Sequence, residues 1–317
     1  MRRPGWSIAL ILVVAVSLVP VCAAQAAESP VAGPGYTLSL PVNEISLTFH
    51  VSYPSGATVK DLTSADFRLF DNGALQTGIV EFEAYHHLPI RAGILMDTSV
   101  SMEGAAAHNV EVAIAYLARD FDRTRDRGFV MRFDDETHLA TAWTSNAGFL
   151  ADGLHAGASE AGKGFAGTAI FDSIYTACHD QWPANSGDAT GNFILLFTDG
   201  EDNASHARID DVIDRCQRSR TAIYVVLNQW KARASRGQQT LEELVSKSGG
   251  RIFYQPSDAQ LEEDFAMMED DLRNQYRLVY RVPGLNRDGS FHRIKLECNV
   301  KGAQVLTRSG YYAATRR

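Results

Sequence analysis

Cysteine is scarce: four in 317 residues. None belongs to a CxxC pair, so no thiolate zinc site or dithiol redox motif follows from them. Nine histidines give no HExxH and no repeated metal spacing, which removes the zinc-hydrolase pattern. No GxSxG elbow is present, and no histidine can be assigned to a serine base from its position alone. Basic residues are in the minority, with 30 Lys and Arg against 38 Asp and Glu and a formal charge of −8. That balance excludes binding to nucleic acid through a phosphate-neutralising basic face. Beyond the first residues, no apolar run approaches the roughly twenty residues of a membrane span.

The N-terminus carries two arginines, an apolar run from Ile8 to Val21, and small residues ending in Ala24-Gln25-Ala26. Basic, apolar and small-residue regions in that order are a secretory signal peptide. The run is about fourteen residues and is broken by Ser17 and Pro20, too short for a span of roughly twenty. Cleavage after Ala26 is expected, leaving a secreted or periplasmic protein with no stable membrane span. Val21 precedes Cys22 where a lipoprotein signal wants a small residue, so no lipid anchor is expected. Loss of residues 1–26 removes two arginines and no acid, moving the charge from −8 to −10. Cys178, Cys216 and Cys298 remain, enough for one disulfide at most. Cys178 and Cys216 are the candidate pair because both fall on predicted helices, and buried free thiols are the alternative.

From Tyr36 to Tyr85 the pattern is that of strands, alternating in YTLSLPVNEISLTFHVSYP, with turns at Pro54-Ser55-Gly56 and Asp71-Asn72-Gly73. From Leu88 strands alternate with helices: RAGILMD, a helix after Ser101, GFVMRF, helices around Phe149 and after Thr168, NFILLFTDG, a helix near Val212, TAIYVVL, a helix near Leu241, and GRIFY. This grammar predicts an α/β domain at 88–274, doubly wound, with a mostly parallel sheet and helices on both faces. A last helix is expected over Asp258 to Asn274. Strand patterning then returns over 275–313, in YRLVYRV, SFHRIKLECNV and AQVLTRSGYY. Neither flank has enough strands for a core of its own. Segments 36–85 and 275–313 are therefore expected to pack together as one discontinuous β-sandwich in which the α/β domain is inserted.

Candidate chemistry gathers at one rim of the predicted parallel sheet. ILMDTSVSM puts Asp97 at the carboxyl end of a buried strand, with Ser99 and Ser101 on the following turn. Gly167-Thr168 heads a helix, and LLFTDG carries Asp199 to the end of another strand. Ligands of open α/β sheets bind at that edge. Two carboxylates and three hydroxyls are hard oxygen donors suited to Mg2+, with Mn2+ or Ca2+ as alternatives. The two acidic charges balance one dication. A neutral site with an open position can accept a further carboxylate from a partner. The competing reading is that Asp97 and Asp199 merely cap helices.

These residues resemble the metal-ion-dependent adhesion site of the von Willebrand factor A family, over roughly Leu88 to Asn274. The resemblance implies direct metal ligation by Ser99, Ser101 and Thr168, with Asp97 and Asp199 acting directly or through water. It also implies a non-catalytic module that engages an acidic group on a protein partner. Val100 stands where the family usually has Gly, and Ala166 where a Gly commonly precedes the threonine, so strained or reshaped loops are expected. The flanks LTSADFRLFDNG, SGGRIFY, QYRLVYRV, DGSFHRIKLECNV and SGYYA resemble bacterial VWFA-related exported proteins known mainly from Acidobacteria.

Other features read as bland. GASEAGKG, Gly157 to Gly164, imitates a phosphate-binding loop but has Gly164 where a hydroxyl is needed. Asp134, Asp135 and Glu136 form an acidic turn expected to be solvated, and His86-His87 a surface pair at the domain junction. Two further function classes stand beside the binding module. One is a structural envelope protein with a stabilising or vestigial metal site, and the other a metal-assisted hydrolase.

Overall fold

A computed structural model describes residues 43–160, 167–182, 190–228, 235–254 and 257–313. The expected leader at 1–26, the start of the first strand segment at 36–42, Ala166 and the lysine of the GASEAGKG stretch lie outside these residues. The first flank holds β1 (Glu44–Ser52), β2 (Phe67–Asp71), β3 (Ala74–Gln76) and β4 (Ile79–Tyr85). Next come β5 (Ile90–Asp97), α1 (Ala106–Arg119), β6 (Arg127–Phe133), β7 (Thr137–Thr144), α2 (Ala147–Glu160), α3 (Ile170–Thr176) and β8 (Gly191–Thr198). They are followed by α4 (Ile209–Arg218), β9 (Thr221–Leu227), α5 (Arg236–Ser248), β10 (Ile252–Tyr254) and α6 (Asp258–Arg273). The last flank holds β11 (Gln275–Arg281), β12 (Phe291–Cys298), β13 (Gln304–Thr307) and β14 (Gly310–Tyr312).

The near-continuous apolar runs of β5, β8 and β9 are those of strands covered on both faces. They lie in a six-stranded sheet of order β10-β9-β8-β5-β6-β7. All neighbours in it are parallel except β6 and β7. Alternation along the strands splits the core in two. Phe193, Leu195 and Phe197 of β8 pack with Val110 and Tyr116 of α1, Leu150 of α2 and Phe265 of α6. Ile194 and Leu196 pack on the other face with Ile174 of α3, Val212 of α4 and Leu244 of α5. Each such fully buried side chain contributes roughly 1.5–3 kcal/mol, so both helical layers are held by apolar burial. The fold is the expected mixed α/β arrangement with a mostly parallel central sheet.

Cys178 and Cys216 form a disulfide between the helical turn after α3 and α4, inside the second of these layers. Cys298 is free.

The two flanks interleave in two antiparallel sheets of order β13-β1-β11-β4 and β14-β12-β2-β3. In the first, β1 pairs with β11 from Glu44 opposite Arg281 to Phe49 opposite Tyr276. In the second, β12 pairs with β2 from Ile294 opposite Asp71 to Cys298 opposite Phe67. One apolar cluster joins both sheets, with Leu47, Phe49, Phe67, Leu69, Leu278 and Leu296 among its members. The Asp71-Asn72-Gly73 turn closes the β2–β3 hairpin. At the start of β5, buried Asp126 accepts from the Ile90 N–H at 2.9 Å and from Arg273 Nη2 at 2.6 Å. Arg273 Nη1 also donates to the Leu88 carbonyl at 3.1 Å. These bonds tie the end of α6 to the start of β5, fixing where β11 leaves for the first antiparallel sheet.

Candidate metal centre

Parallel register sets the site. Met96 of β5 lies opposite Phe197 of β8, so Asp97 and Thr198-Asp199 emerge together at the carboxyl end of adjacent strands. Asp97 Oδ1 accepts from the Ser99 N–H at 3.0 Å and from Ser99 Oγ at 2.6 Å. Its Oδ2 accepts from Thr198 Oγ1 at 2.7 Å. Ser99 Oγ lies 3.2 Å from Ser101 Oγ, because a short 3-10 turn over Val100–Met102 folds the chain back. Val100 is 45% exposed and lies outside the left-handed region. The expected strain from replacing a glycine there is therefore absent.

Thr168 is fixed from the β8 side. Its N–H donates to Asn203 Oδ1 at 2.8 Å, and its carbonyl accepts from the N–H groups of Asn203 and Ala204 at 3.0 and 3.1 Å. From the β6 side, the Asp134 carbonyl accepts from the Ala169 N–H at 2.7 Å. Gly167 lies between the two loops. A Cβ there would stand 3.0 Å from Asp135 Cβ and 3.1 Å from Ala204 Cβ, so glycine lets the loops approach. Gly200 adopts φ +84°, a conformation that L side chains resist. It turns the chain after Asp199, whose Oδ1 accepts from the Glu201 N–H at 3.1 Å.

Asp97, Ser99, Thr168 and Asp199 are each at most 3% exposed, whereas Ser101 is exposed. The rim therefore opens to solvent at Ser101. Burial pushes the Asp97 carboxyl up to about 6; the Ser99 and Thr198 hydrogen bonds pull the other way, and nearby Asp199 adds to the rise. Among the described residues no Lys, Arg or His forms an ion pair with Asp97 or Asp199, and no three His, Cys, Asp or Glu side chains make a metal-holding group. The donor set fits a hard dication: two buried carboxylates have no basic partner among the described residues, and the remaining donors are hydroxyls.

Two supporting residues were not singled out from the sequence. Thr198 precedes Asp199 in LLFTDG, and its hydroxyl at the end of a buried strand was the available signal. Asn203 had none, since its role depends on where the next loop falls. The acidic turn is a hairpin between β6 and β7, with Asp135 and Glu136 exposed. His86 and His87 are exposed.

The von Willebrand factor type A domain family matches residues 93–266, and the chain belongs to it. Domains of this family are mostly protein–protein interaction modules. No curated relative matches. Among solved structures, the conserved hypothetical protein BatB from Bacteroides thetaiotaomicron is 15% identical, with TM-score 0.44, over 57% of this chain and 98% of that one. A von Willebrand factor type A protein from Catenulispora acidiphila is 13% identical, with TM-score 0.38, over 76% and 75%. Proximal thread matrix protein 1 from the mussel byssus is 13% identical, with TM-score 0.44, over 70% and 50%. No helix among the described residues is long and apolar enough to cross a membrane.

Proposed function

We propose that the chain is an exported, secreted or periplasmic, binding protein that holds a divalent cation through Asp97, Ser99, Ser101, Thr168 and Asp199. The ion is Mg2+, or Mn2+ or Ca2+ in its place, and it engages a carboxylate on a protein partner. The observation that carries this reading is the pair of aspartates at the sheet rim, each at most 3% exposed and neither paired with a basic side chain among the described residues. A bound dication would neutralise that charge and supply the positive centre at which an acidic group docks. Ser99 and Thr198 orient Asp97, Asn203 orients Thr168, and exposed Ser101 marks the side from which a partner arrives. Val100, beside it, offers an apolar contact.

One observation favours a second reading. The Asp97 carboxylate already accepts three hydrogen bonds, at 3.0, 2.6 and 2.7 Å, as it would in an envelope protein with a stabilising or vestigial site. That reading predicts metal-dependent melting with no metal-dependent ligand. A hydrolase is the third possibility, and a panel of esters, phosphates and peptides without turnover removes it. The deciding experiment is partner capture in magnesium and in EDTA, for the wild type and Asp97→Ala. The proposal expects capture only by the wild type in magnesium. Capture that survives both EDTA and the substitution defeats it.

A further inference from the structure

A cavity of about 320 Å³ lies at the opposite, amino-terminal end of the parallel strands, between Asn192 and Thr221 on one side and the first antiparallel sheet on the other. Its volume is at the small end of the range for ligand sites. Its lining is rich in guanidinium groups and hydroxyls, and its charges do not balance. Arg218 is paired with Asp214 at 2.7 Å, and Arg277 with Glu83 and Glu81 at 2.6 and 2.8 Å. The one lining carboxylate among the described residues, Asp271, is held by Arg251 at 2.8 Å and lies 3.6 Å from His50 Nε2. Arg220 and Arg308 are left without an acidic partner among the described residues.

Arg308 donates from Nη2 to the Ser46 carbonyl at 2.8 Å. Its Nε is closed to solvent and has no acceptor. Burial, with the like charge of Arg220 as a lesser cause, pulls this guanidinium below the usual arginine range. Helices α4 and α5 end beside the cavity, but each carboxyl end offers only about half a negative charge, short of two guanidinium charges. Arg220 adds an independent sign. It follows the Ser219 cap of α4 and holds φ +54°, where glycine or asparagine is the ordinary choice and other residues are strained. Strained residues of this kind cluster at functional sites.

We propose that this cavity binds a small tetrahedral oxyanion, inorganic phosphate or the phosphate of a small phosphomonoester, between Arg220 and Arg308. The Ser219 and Thr221 hydroxyls, 2.8 Å from each other, line the same cavity. Because Arg308 belongs to the last flank and Arg220 to the α/β domain, the anion would tie the two together. The site is independent of the Asp97 rim.

The test is calorimetric titration and thermal melting of the intact protein with sodium phosphate and, separately, glycerol 3-phosphate, against sodium chloride at matched ionic strength. Saturable one-to-one binding with a raised melting temperature is expected. Arg220→Ala should weaken it by about tenfold or more, the loss of a charge-assisted hydrogen bond. Arg308→Gln should abolish binding without lowering the melting temperature in chloride, since it removes an unbalanced charge. Tighter binding of the ester identifies the ligand as a phosphomonoester, and equal binding identifies the free oxyanion. Absence of saturable binding to both probes overturns the proposal, as does unchanged affinity in Arg220→Ala, whose exposed side chain leaves folding intact.

Discussion

Gly167 shows how one missing methyl group shapes the rim. With Asp135 Cβ and Ala204 Cβ at 3.0 and 3.1 Å from the place a Cβ would occupy, Gly167→Ala must push the two loops apart. A cost of about 1–3 kcal/mol is expected from such overpacking, visible as a lower urea midpoint, together with weaker metal binding because Thr168 moves with the loop. Unchanged stability and affinity would mean that the loops yield freely. Glu269 offers a test through pH. Burial raises its carboxyl to about 7, against the opposing effect of Arg273 and of the Tyr116 hydroxyl. A raised folded-state value favours the protonated form, so the contribution to stability is complete below the ordinary glutamate range and is lost as pH rises through about 7. The stability of the wild type relative to Glu269→Gln should fall by roughly 1–3 kcal/mol between pH 5 and 8. A flat difference in urea unfolding across that range would refute this. The places of Asp97 and Asp199 at the carboxyl ends of β5 and β8 were legible from the apolar runs before them, as were Ser99 and Ser101 on the turn after β5 and Thr168 ahead of α3. Arg273, Asp126 and Arg308 were not, since their meaning lies in partners more than a hundred residues away.

Among the elements, β7 was not anticipated. THLATAWT pairs antiparallel to β6 at the sheet edge, and its side chains are only half-buried or exposed, so it lacks the apolar run that marked the parallel strands. The helices were clearer, because each carries an apolar stripe facing one of the two sheet surfaces. The Cys178–Cys216 pairing could only be posed as an alternative from sequence, since two helical cysteines 38 residues apart meet only if α4 packs beside the turn that follows α3. The bridge closes that loop within a buried layer. Chain-entropy arguments give it roughly 3–4 kcal/mol. Cys216→Ala, or reduction of the wild type, should lower unfolding free energy by that order in denaturant titrations. A loss below the scatter of such titrations would place the stability of this layer elsewhere.

At the scale of the whole molecule, interleaving of the flanks follows from a shortage of strands. Neither end supplies a two-sheet core by itself, and in both sheets strands from one end pair with strands from the other. The order of pairing was beyond the sequence, because several registers would bury the same alternating residues. The binding function proposed above has a cation at the rim as its central requirement. The direct measurement is calorimetric titration of magnesium, manganese and calcium into chelator-treated protein, beside an Asp97→Ala, Asp199→Ala double variant. Saturable one-to-one binding by the wild type, lost in the variant, is the predicted result. Equal heats from both proteins, or none from either, would contradict a cation site built on these aspartates.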